Sequence, residues 1–318
     1  MCKRLYAVSV LVPVYNVENY IEQCVISLME QSFESIQYVF VDDCGTDNSM
    51  IILQSVLERY PSRMEDVLVI KHTCNKGLAA ARNTALGNAL GRYVYHVDSD
   101  DYIEINAILR MYEVAELNHC DLVFADYNDV YNSSVKPNHW TINLNKDEAL
   151  KDMIFHRTPC HIWNVLIRRE LYVNNGIQAV EDINNGEDYL VIIPLIFYSK
   201  VYSKLNDCLY NYVRFNQNSF QSNRNLEKNR RDLLIGNEYL QSYFQKEHNL
   251  ILYLSEYQYL LYVLYAINAI YIGDNISEMP LSKRWKFPNL TLKQRLICYL
   301  FNMKMYGVLL FLRRIRNL

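Results

Sequence analysis

Glycine and proline are scarce in this chain, with 9 and 7 among 318 residues. That scarcity excludes a collagen-like repeat or a low-complexity linker protein, in which those residues dominate. Charged residues are 21% and apolar ones 51%, so the chain can bury a proper core and is not disordered. The 8 cysteines include no Cys-x-x-Cys pair, which removes the spacing of a zinc site or a redox motif. Several lie in apolar surroundings (Cys24, Cys120, Cys298) and read as reduced thiols of a cytosolic protein. No uncharged run reaches the roughly 18 to 20 apolar residues that span a bilayer. The nearest, Tyr257 to Gly273, carries five Tyr, a Gln and an Asn and suits a packed helix. The N-terminal apolar run meets Pro13 before it is long enough for a signal peptide, and no small-residue cleavage site follows. Acids are missing from one end: Lys283 to Leu318 holds nine Lys or Arg and no Asp or Glu. The net charge of −3 therefore conceals an acidic body and a strongly basic tail.

What is present concentrates in Arg92 to Tyr102, RYVYHVDSDDY. An apolar, aromatic run (Tyr93, Val94, Tyr95, Val97) breaks into three carboxylates, Asp98, Asp100 and Asp101. A β-run ending in acids places them at the carboxyl end of a strand, the edge where open α/β sheets bind ligands. Two Asp one residue apart, just past the sheet, can both face one hard divalent cation, which takes oxygen ligands and shares them with phosphates. The same pattern also fits an Asx-rich turn that merely ends a strand.

Val8 to Val12 reads as a buried parallel strand, continuous and β-branched, stopped by Pro13. Asn16 can cap the next helix, where Ile21, Cys24, Val25 and Leu28 fall at helical spacing. Gln37 to Val41 is a second strand, broken by Asp42-Asp43, and Thr46 or Asp47 caps a helix carrying Ile51, Ile52, Leu53 and Val56. Asp66 to Lys71 is a third strand. Asn75-Lys76-Gly77 turns into an Ala-rich helix over Leu78 to Leu90, and Tyr93 to Val97 is the fourth strand. Strict alternation of strand and helix predicts a parallel sheet covered by helices. Every strand ends in polar residues (Tyr15-Asn16, Asp42-Asp43, Asn75-Lys76, Asp98-Ser99-Asp100), so a single cleft collects them.

A helix at Glu104 to Asn118, a strand at Asp121 to Asp126 and an Asn-rich polar link, Asn128 to Asn145, follow. Next come a helix with Asn145 and Glu148 at capping-box spacing and a strand-like Cys160 to Arg169. An apolar helix from Tyr189 to Phe197 and a strand around Leu205 to Arg214 close this half. From Asn225 onward no strand is expected. Leu226 to Ile272 is helical, Pro280 to Asn289 is a break, and Thr291 to Asn317 forms one or two amphipathic basic helices.

Four segments taken together, VSVLVPVYNVENYIEQCVISLMEQ, YVFVDDCGTDNS, NKGLAAARNTAL and YVYHVDSDDY, resemble in order and spacing the N-terminal half of family 2 glycosyltransferases. The later WNVLIRRELY, NNGEDYLV and YNYVRFNQNSF resemble that family's downstream motifs. The resemblance covers roughly residues 6 to 220 and is of the bacterial surface-polysaccharide type. It implies the GT-A fold, an α/β design with a mostly parallel sheet, over residues 1–220, with a helical C-terminal extension over 221–318. It implies a cytoplasmic inverting transferase that moves a hexose or N-acetylhexosamine from a UDP-sugar to a hydroxyl of a growing surface glycan or polyprenyl-diphosphate-linked oligosaccharide.

By the same resemblance Pro13, Tyr15 and Glu18 belong to the nucleotide-side turn and Asp43 accepts a hydrogen bond from uracil. Lys76, Gly77 and Arg82 lie near the ribose, diphosphate or sugar. Asp98, Ser99 and Asp100 form the DxD motif, whose Asp98 and Asp100 bind Mn²⁺ or Mg²⁺ on the donor diphosphate. Asp188 is the implied catalytic base, preferred over Asp182 of the upstream Glu181-Asp182 pair because a Gly precedes and a helix follows. A base is what an inverting transfer requires, since one carboxylate takes the acceptor's proton as its oxygen attacks. Glu187 and Trp163 are acceptor-side candidates, and Arg214 resembles a late basic residue that reaches the diphosphate. On the residues alone, Arg82 and Arg214 also fit solvated surface arginines, and Trp163 fits a buried core ring. The family commonly has Gly-Ser after the paired Asp, where this chain has Cys44-Gly45.

The tail needs a separate argument. From Leu292 to Leu312 an apolar series runs among basic residues without acids, the composition of a helix lying in an anionic membrane interface. It also fits a helix packed on the catalytic domain with a basic outer face. No nucleic-acid fold or aromatic-basic interleaving is present. Two rival functions are a sugar-nucleotide nucleotidyltransferase and a catalytically silent sugar- or nucleotide-binding subunit. The first would open with a Gly-rich phosphate loop, whereas here the first strand runs into Pro13-Val14-Tyr15-Asn16.

Overall fold

The computed structural model describes residues 5–181, 183, 186–216, 226–272 and 287–316. The chain divides into two compact units, Met1–Lys146 with Thr158–Arg224, and Asp147–Arg157 with Asn225–Leu318. The first contains β1 (Val8–Val14), α1 (Ile21–Met29), β2 (Ile36–Asp42), α2 (Ser49–Leu57), β3 (Val67–Lys71), α3 (Leu78–Gly87) and β4 (Tyr93–His96). It continues through β5 (Tyr102–Ile103), α4 (Ala107–Leu117), β6 (Leu122–Tyr131) and β7 (Ser134–Asn138). After α5 (Lys146–Ile154), most of which belongs to the second unit, come β8 (Val165–Arg168), α6 (Arg169–Asn175), α7 (Glu187–Tyr198) and β9 (Tyr202–Val213).

Every residue of β1 and β2 is buried, as continuous β-branched runs require when helices cover both faces of a parallel sheet. The sheet runs β3-β2-β1-β4-β8-β6-β9-β5, with β7 added on β6. The pairs β1–β2, β2–β3 and β1–β4 are parallel. Strand order reverses between β1 and β4, the position at which such sheets open a crevice at their carboxyl edge. Beyond β4 the expectation of simple alternation gives way, because β8 is antiparallel to both β4 and β6 while β6 and β9 are parallel. A four-residue buried strand carries no period that distinguishes parallel from antiparallel neighbours.

The expected Asn-rich link is partly a hairpin: β6 runs on to Tyr131 and returns as β7, with Tyr131 opposite Ser134. Its polar composition reflects an exposed outer strand, where Pro137 costs no central ladder bond. Two expected caps also act differently. Asn16 adopts φ 53° and its Oδ1 accepts from the Thr46 amide at 2.8 Å, so it braces the next loop and not α1. Asp47 accepts from the Ser49 amide and hydroxyl and from the Glu18 amide, just ahead of a helix that starts at Ser49.

Gly91 sets the entry to β4. A Cβ there would meet Ser9 N at 2.5 Å, Val8 C at 2.6 Å and Tyr93 O at 2.8 Å, all backbone atoms of the sheet. Gly91→Ala is expected to cost about 3 kcal/mol, read as a lower denaturation midpoint with an unchanged denaturant slope.

The second unit is helical throughout its described residues, with α8 (Leu226–Tyr243), α9 (His248–Ile272), α10 (Leu292–Asn302) and α11 (Tyr306–Arg316) joining α5. Several polar side chains buried there are paired: Asn237 Nδ2 donates to Leu254 O and Gln258 Oε1, and Tyr253 Oη donates to Asp147 Oδ2 at 2.7 Å. Glu256 accepts from the Asn289 amide and side chain at 3.0 and 3.1 Å. Residues 273–286, which include most of the expected break, lie outside the described residues. Thr291 and Gln294 form a reciprocal capping box at the start of α10. His248–Tyr271 is long and apolar enough to cross a membrane, and 67% of an apolar 18-residue window within it is buried. The uncharged run Tyr257 to Gly273 overlaps only its C-terminal part, because the charge of Glu256 ends the run upstream.

Candidate active site

Four loops leave the carboxyl edge of β1 to β4, and hydrogen bonds accepted by their acids organise the cleft. Asp42 folds its own turn, with Oδ1 accepting from the Cys44 and Gly45 amides at 3.0 and 3.4 Å. This accommodates the departure at Cys44, which takes φ 62°. Asp43 is 3% exposed and fastens the loop after β3: Oδ1 accepts from the Lys76 amide at 2.9 Å and Oδ2 from the Gly77 amide at 2.8 Å. Gly77, at φ 88°, occupies a conformation that suits glycine and opens α3. His72 holds the other side of Asp43, with Nδ1 2.6 Å from Oδ1 and Nε2 2.9 Å from Thr84 Oγ1. Glu18 Oε2 accepts from the Asn48 amide and side chain, tying the first turn to the second loop. Pro13 is buried at the end of β1, whereas Tyr15 is 46% exposed and Lys76 is exposed.

The densest charge lies around Arg82, only 4% exposed on α3. Its Nη1 donates to Glu187 Oε1 at 2.8 Å and Asp188 Oδ1 at 2.5 Å, and its Nη2 to Asp98 Oδ1 at 2.9 Å. A solvated arginine is therefore excluded. Burial works against its charge, yet Asp188, Asp98 and Glu187 outweigh burial and hold the guanidinium firmly protonated. Arg82 Nε is buried without a partner. Gly186, left-handed at φ 85°, lets the chain enter α7 with Glu187 and Asp188 in the first turn, where the helix dipole favours carboxylates. Asp188 Oδ2 also accepts from the Ile162 amide at 3.3 Å. Burial raises the Asp188 pKa against the pull of Arg82, and burial with the neighbouring Asp188 pushes Glu187 up to about 8.

Of the three carboxylates after β4, Asp101 is structural: it accepts from Tyr210 Oη and the Val213 amide, both at 2.7 Å. Tyr210 Oη in turn accepts from the Asp98 amide at 3.1 Å. Ser99 is buried beside them. Asp100 Oδ2 accepts from Asn216 Nδ2 at 2.7 Å, and burial followed by the Asp98 charge lifts its pKa to about 6. Asp98 keeps its second oxygen clear of protein donors among the described residues. Two carboxylates side by side, one raised in pKa by the other, suit a hard divalent cation whose remaining ligands are phosphate and water. No group of three or more metal-ligating side chains occurs among the described residues, so such an ion would rely on a bound ligand for most of its shell.

Two expected residues are otherwise engaged. Trp163 is 3% exposed and stacks on His161, Tyr210 and Tyr212 at 4.6, 4.3 and 5.2 Å, so its ring belongs to an aromatic layer and offers no open platform to a sugar. Arg214 Nε donates to Asp129 Oδ1 at 2.6 Å and its guanidinium lies over the Tyr212 ring. Asp182 lies outside the described residues. The sequence reading missed His72 and Asn216. His72 follows β3 on the edge that gathers the other site residues, and that placement was the available signal. Asn216 stands within YVRFNQNSF but has no intrinsic mark.

Residues 9–175, just over half the chain, match the sequence profile of glycosyl transferase family 2. The chain belongs to that family. It is 33% identical over 219 residues to an uncharacterized glycosyltransferase of Bacillus subtilis, EpsJ, covering 67% of this chain and 62% of that protein. It is 31% identical over 211 residues to a poly(ribitol-phosphate) beta-glucosyltransferase of Bacillus spizizenii, covering 65% of this chain and 32% of that protein. The chain thus spans less than two thirds of the length of either relative. Among solved structures, residues 1–349 of S. aureus TarS in complex with UDP-GlcNAc superpose with a TM-score of 0.67 at 22% identity. That match covers 85% of this chain and 77% of the other and establishes the GT-A fold.

Proposed function

We propose that this family 2 member is a metal-dependent inverting transferase that moves a hexose or N-acetylhexosamine from a UDP-sugar to a hydroxyl of a growing surface glycan or lipid-linked oligosaccharide. The observation that carries the reading is the Arg82 cluster, in which one buried cation joins Asp98 of the DxD motif to Asp188 at the head of α7. It supports a donor site and a base held in one rigid frame.

Asp98 and Asp100 would hold Mn²⁺ or Mg²⁺, which when bound supplies positive charge to the departing diphosphate. The loop braced by Asp43, together with Pro13, Tyr15 and Glu18, forms the nucleotide side, and Lys76 is free to reach toward phosphates. Asp188 takes the proton from the acceptor hydroxyl as that oxygen attacks the anomeric carbon. A carboxyl raised by burial is a better base than one in water. Arg82 keeps it oriented. Glu187, whose carboxyl burial and the neighbouring Asp188 push upward, lies beside the base on the acceptor side. No enzyme nucleophile is needed for inversion. The UDP-GlcNAc bound by TarS and the poly(ribitol-phosphate) in the name of the Bacillus spizizenii relative support a UDP donor and a surface-glycan acceptor. The transferase would work at the cytoplasmic face of the plasma membrane.

The test is UDP release from a panel of UDP-hexoses and UDP-N-acetylhexosamines with Mn²⁺, with and without lipid-linked glycan acceptors. Release from one donor, stimulated by acceptor and abolished by chelation, is expected. Release that persists fully in chelator would refute the metal-dependent form.

A further inference from the structure

We propose that the outward face of α10 and α11 docks on an anionic lipid bilayer. This rests on the reading of the chain as a transferase working beside a membrane and names the surface that makes the contact.

Helix α10 is apolar on two sides. Ile297, Cys298, Leu300 and Phe301 are buried within the second unit. On the opposite side Leu292, Leu296, Tyr299 and, one turn beyond, Met303 are 83, 51, 50 and 48% exposed. Their spacing of four, three and four residues aligns them on one stripe. Scattered exposed hydrophobes are ordinary, but an aligned series of this size marks a contact surface. Helix α11 repeats the arrangement: Leu309 is buried while Val308 and Phe311 are 39 and 61% exposed. Lys293, Arg295 and Lys304 are exposed around the stripe. A cleft of about 230 Å³ lined by Phe287, Arg295, Leu296, Tyr299 and Asn302 sets a guanidinium beside apolar and aromatic side chains.

Charge selects the occupant. Lys283 to Leu318 has nine basic residues and no acid. A second copy packed on the same face would oppose like charges across a two-fold axis. A nucleic acid would satisfy the bases but leave the stripe in water. Phosphate headgroups over acyl chains satisfy both. Leu292, Leu296, Tyr299, Val308 and Phe311 enter the headgroup boundary, and Lys293, Arg295 and Lys304 beside them meet lipid phosphates.

The chain of 318 residues is sedimented with vesicles of equimolar phosphatidylglycerol and phosphatidylcholine, and with vesicles of phosphatidylcholine alone. Binding to the first is expected to be at least tenfold tighter and to weaken with added salt. Leu296→Glu combined with Phe311→Glu, both at exposed positions, lowers it at least tenfold while circular dichroism and UDP affinity stay unchanged. Leu296→Trp gives a second reading, a blue shift in emission with the anionic vesicles only. Equal binding to both vesicle types, no binding by the wild type, or undiminished binding by the double variant overturns the proposal. So does a dimer that Leu296→Glu dissolves while vesicles capture nothing. Vesicle binding that survives alongside absent UDP binding counts against the transferase reading and leaves this surface standing.

Discussion

Asp188→Asn is expected to lower kcat by about three orders of magnitude, within the range that general acid–base groups contribute, while leaving UDP affinity within about twofold. The amide preserves shape and can still accept from the Ile162 amide, but it cannot take a proton. A role confined to structure would show instead as a lower melting temperature and weaker nucleotide binding. Glu187→Gln separates the two acids. Burial and the neighbouring Asp188 push the Glu187 carboxyl upward and no proton transfer is assigned to it, so the substitution should cost less than about tenfold in kcat. Comparable losses in both variants would deny Asp188 a distinct role as base.

Arg82→Met should be the most destabilising single change in the cleft, by about 3 to 5 kcal/mol at pH 7. Arg82 bonds three carboxylates of low exposure, from Asp98, Glu187 and Asp188, and methionine leaves them facing one another without a cation. The defect should depend on pH with a definite sign. Like-charge crowding raises carboxyl pKa values in the folded state above their unfolded values. The folded variant then binds more protons than the unfolded chain, so its stability rises as pH falls from about 8 toward 5. Chemical denaturation of both proteins at pH 8, 7 and 5.5 reads this directly, with the gap between them narrowing as the solution is acidified. A gap that stays constant would mean the loss comes from packing and not from charge.

Arg82 also shows where a sequence stops being legible. Its motif marked it as a site residue, yet on an Ala-rich helix its residue type fitted a surface arginine equally well. Only the third dimension brings it to Asp98, sixteen residues on, and to Glu187 and Asp188, more than a hundred residues on. The β1 to β4 half was readable because continuous apolar runs, helical spacing and polar strand ends all carry periodic or compositional signals. The antiparallel β8, the β6–β7 hairpin and the bracing of Asp43 by His72 carry none, since each depends on pairing between distant segments. Asp101 was visible in the acidic cluster, but nothing local distinguished this tyrosine-bonded structural acid from its two neighbours. Trp163 went the other way, from candidate sugar platform to member of a buried aromatic layer, because residue type reports aromatic area and not access.

The most direct test of the donor site is calorimetric titration of UDP, with and without Mn²⁺, into the wild type and Asp100→Ala. Binding that requires Mn²⁺ in the wild type and falls at least tenfold in Asp100→Ala is the expected result. UDP binding of equal strength without metal, or undiminished in Asp100→Ala, would contradict the assignment of Asp98 and Asp100 as the metal-bearing pair. Absence of UDP binding under every metal condition would contradict the transferase reading itself.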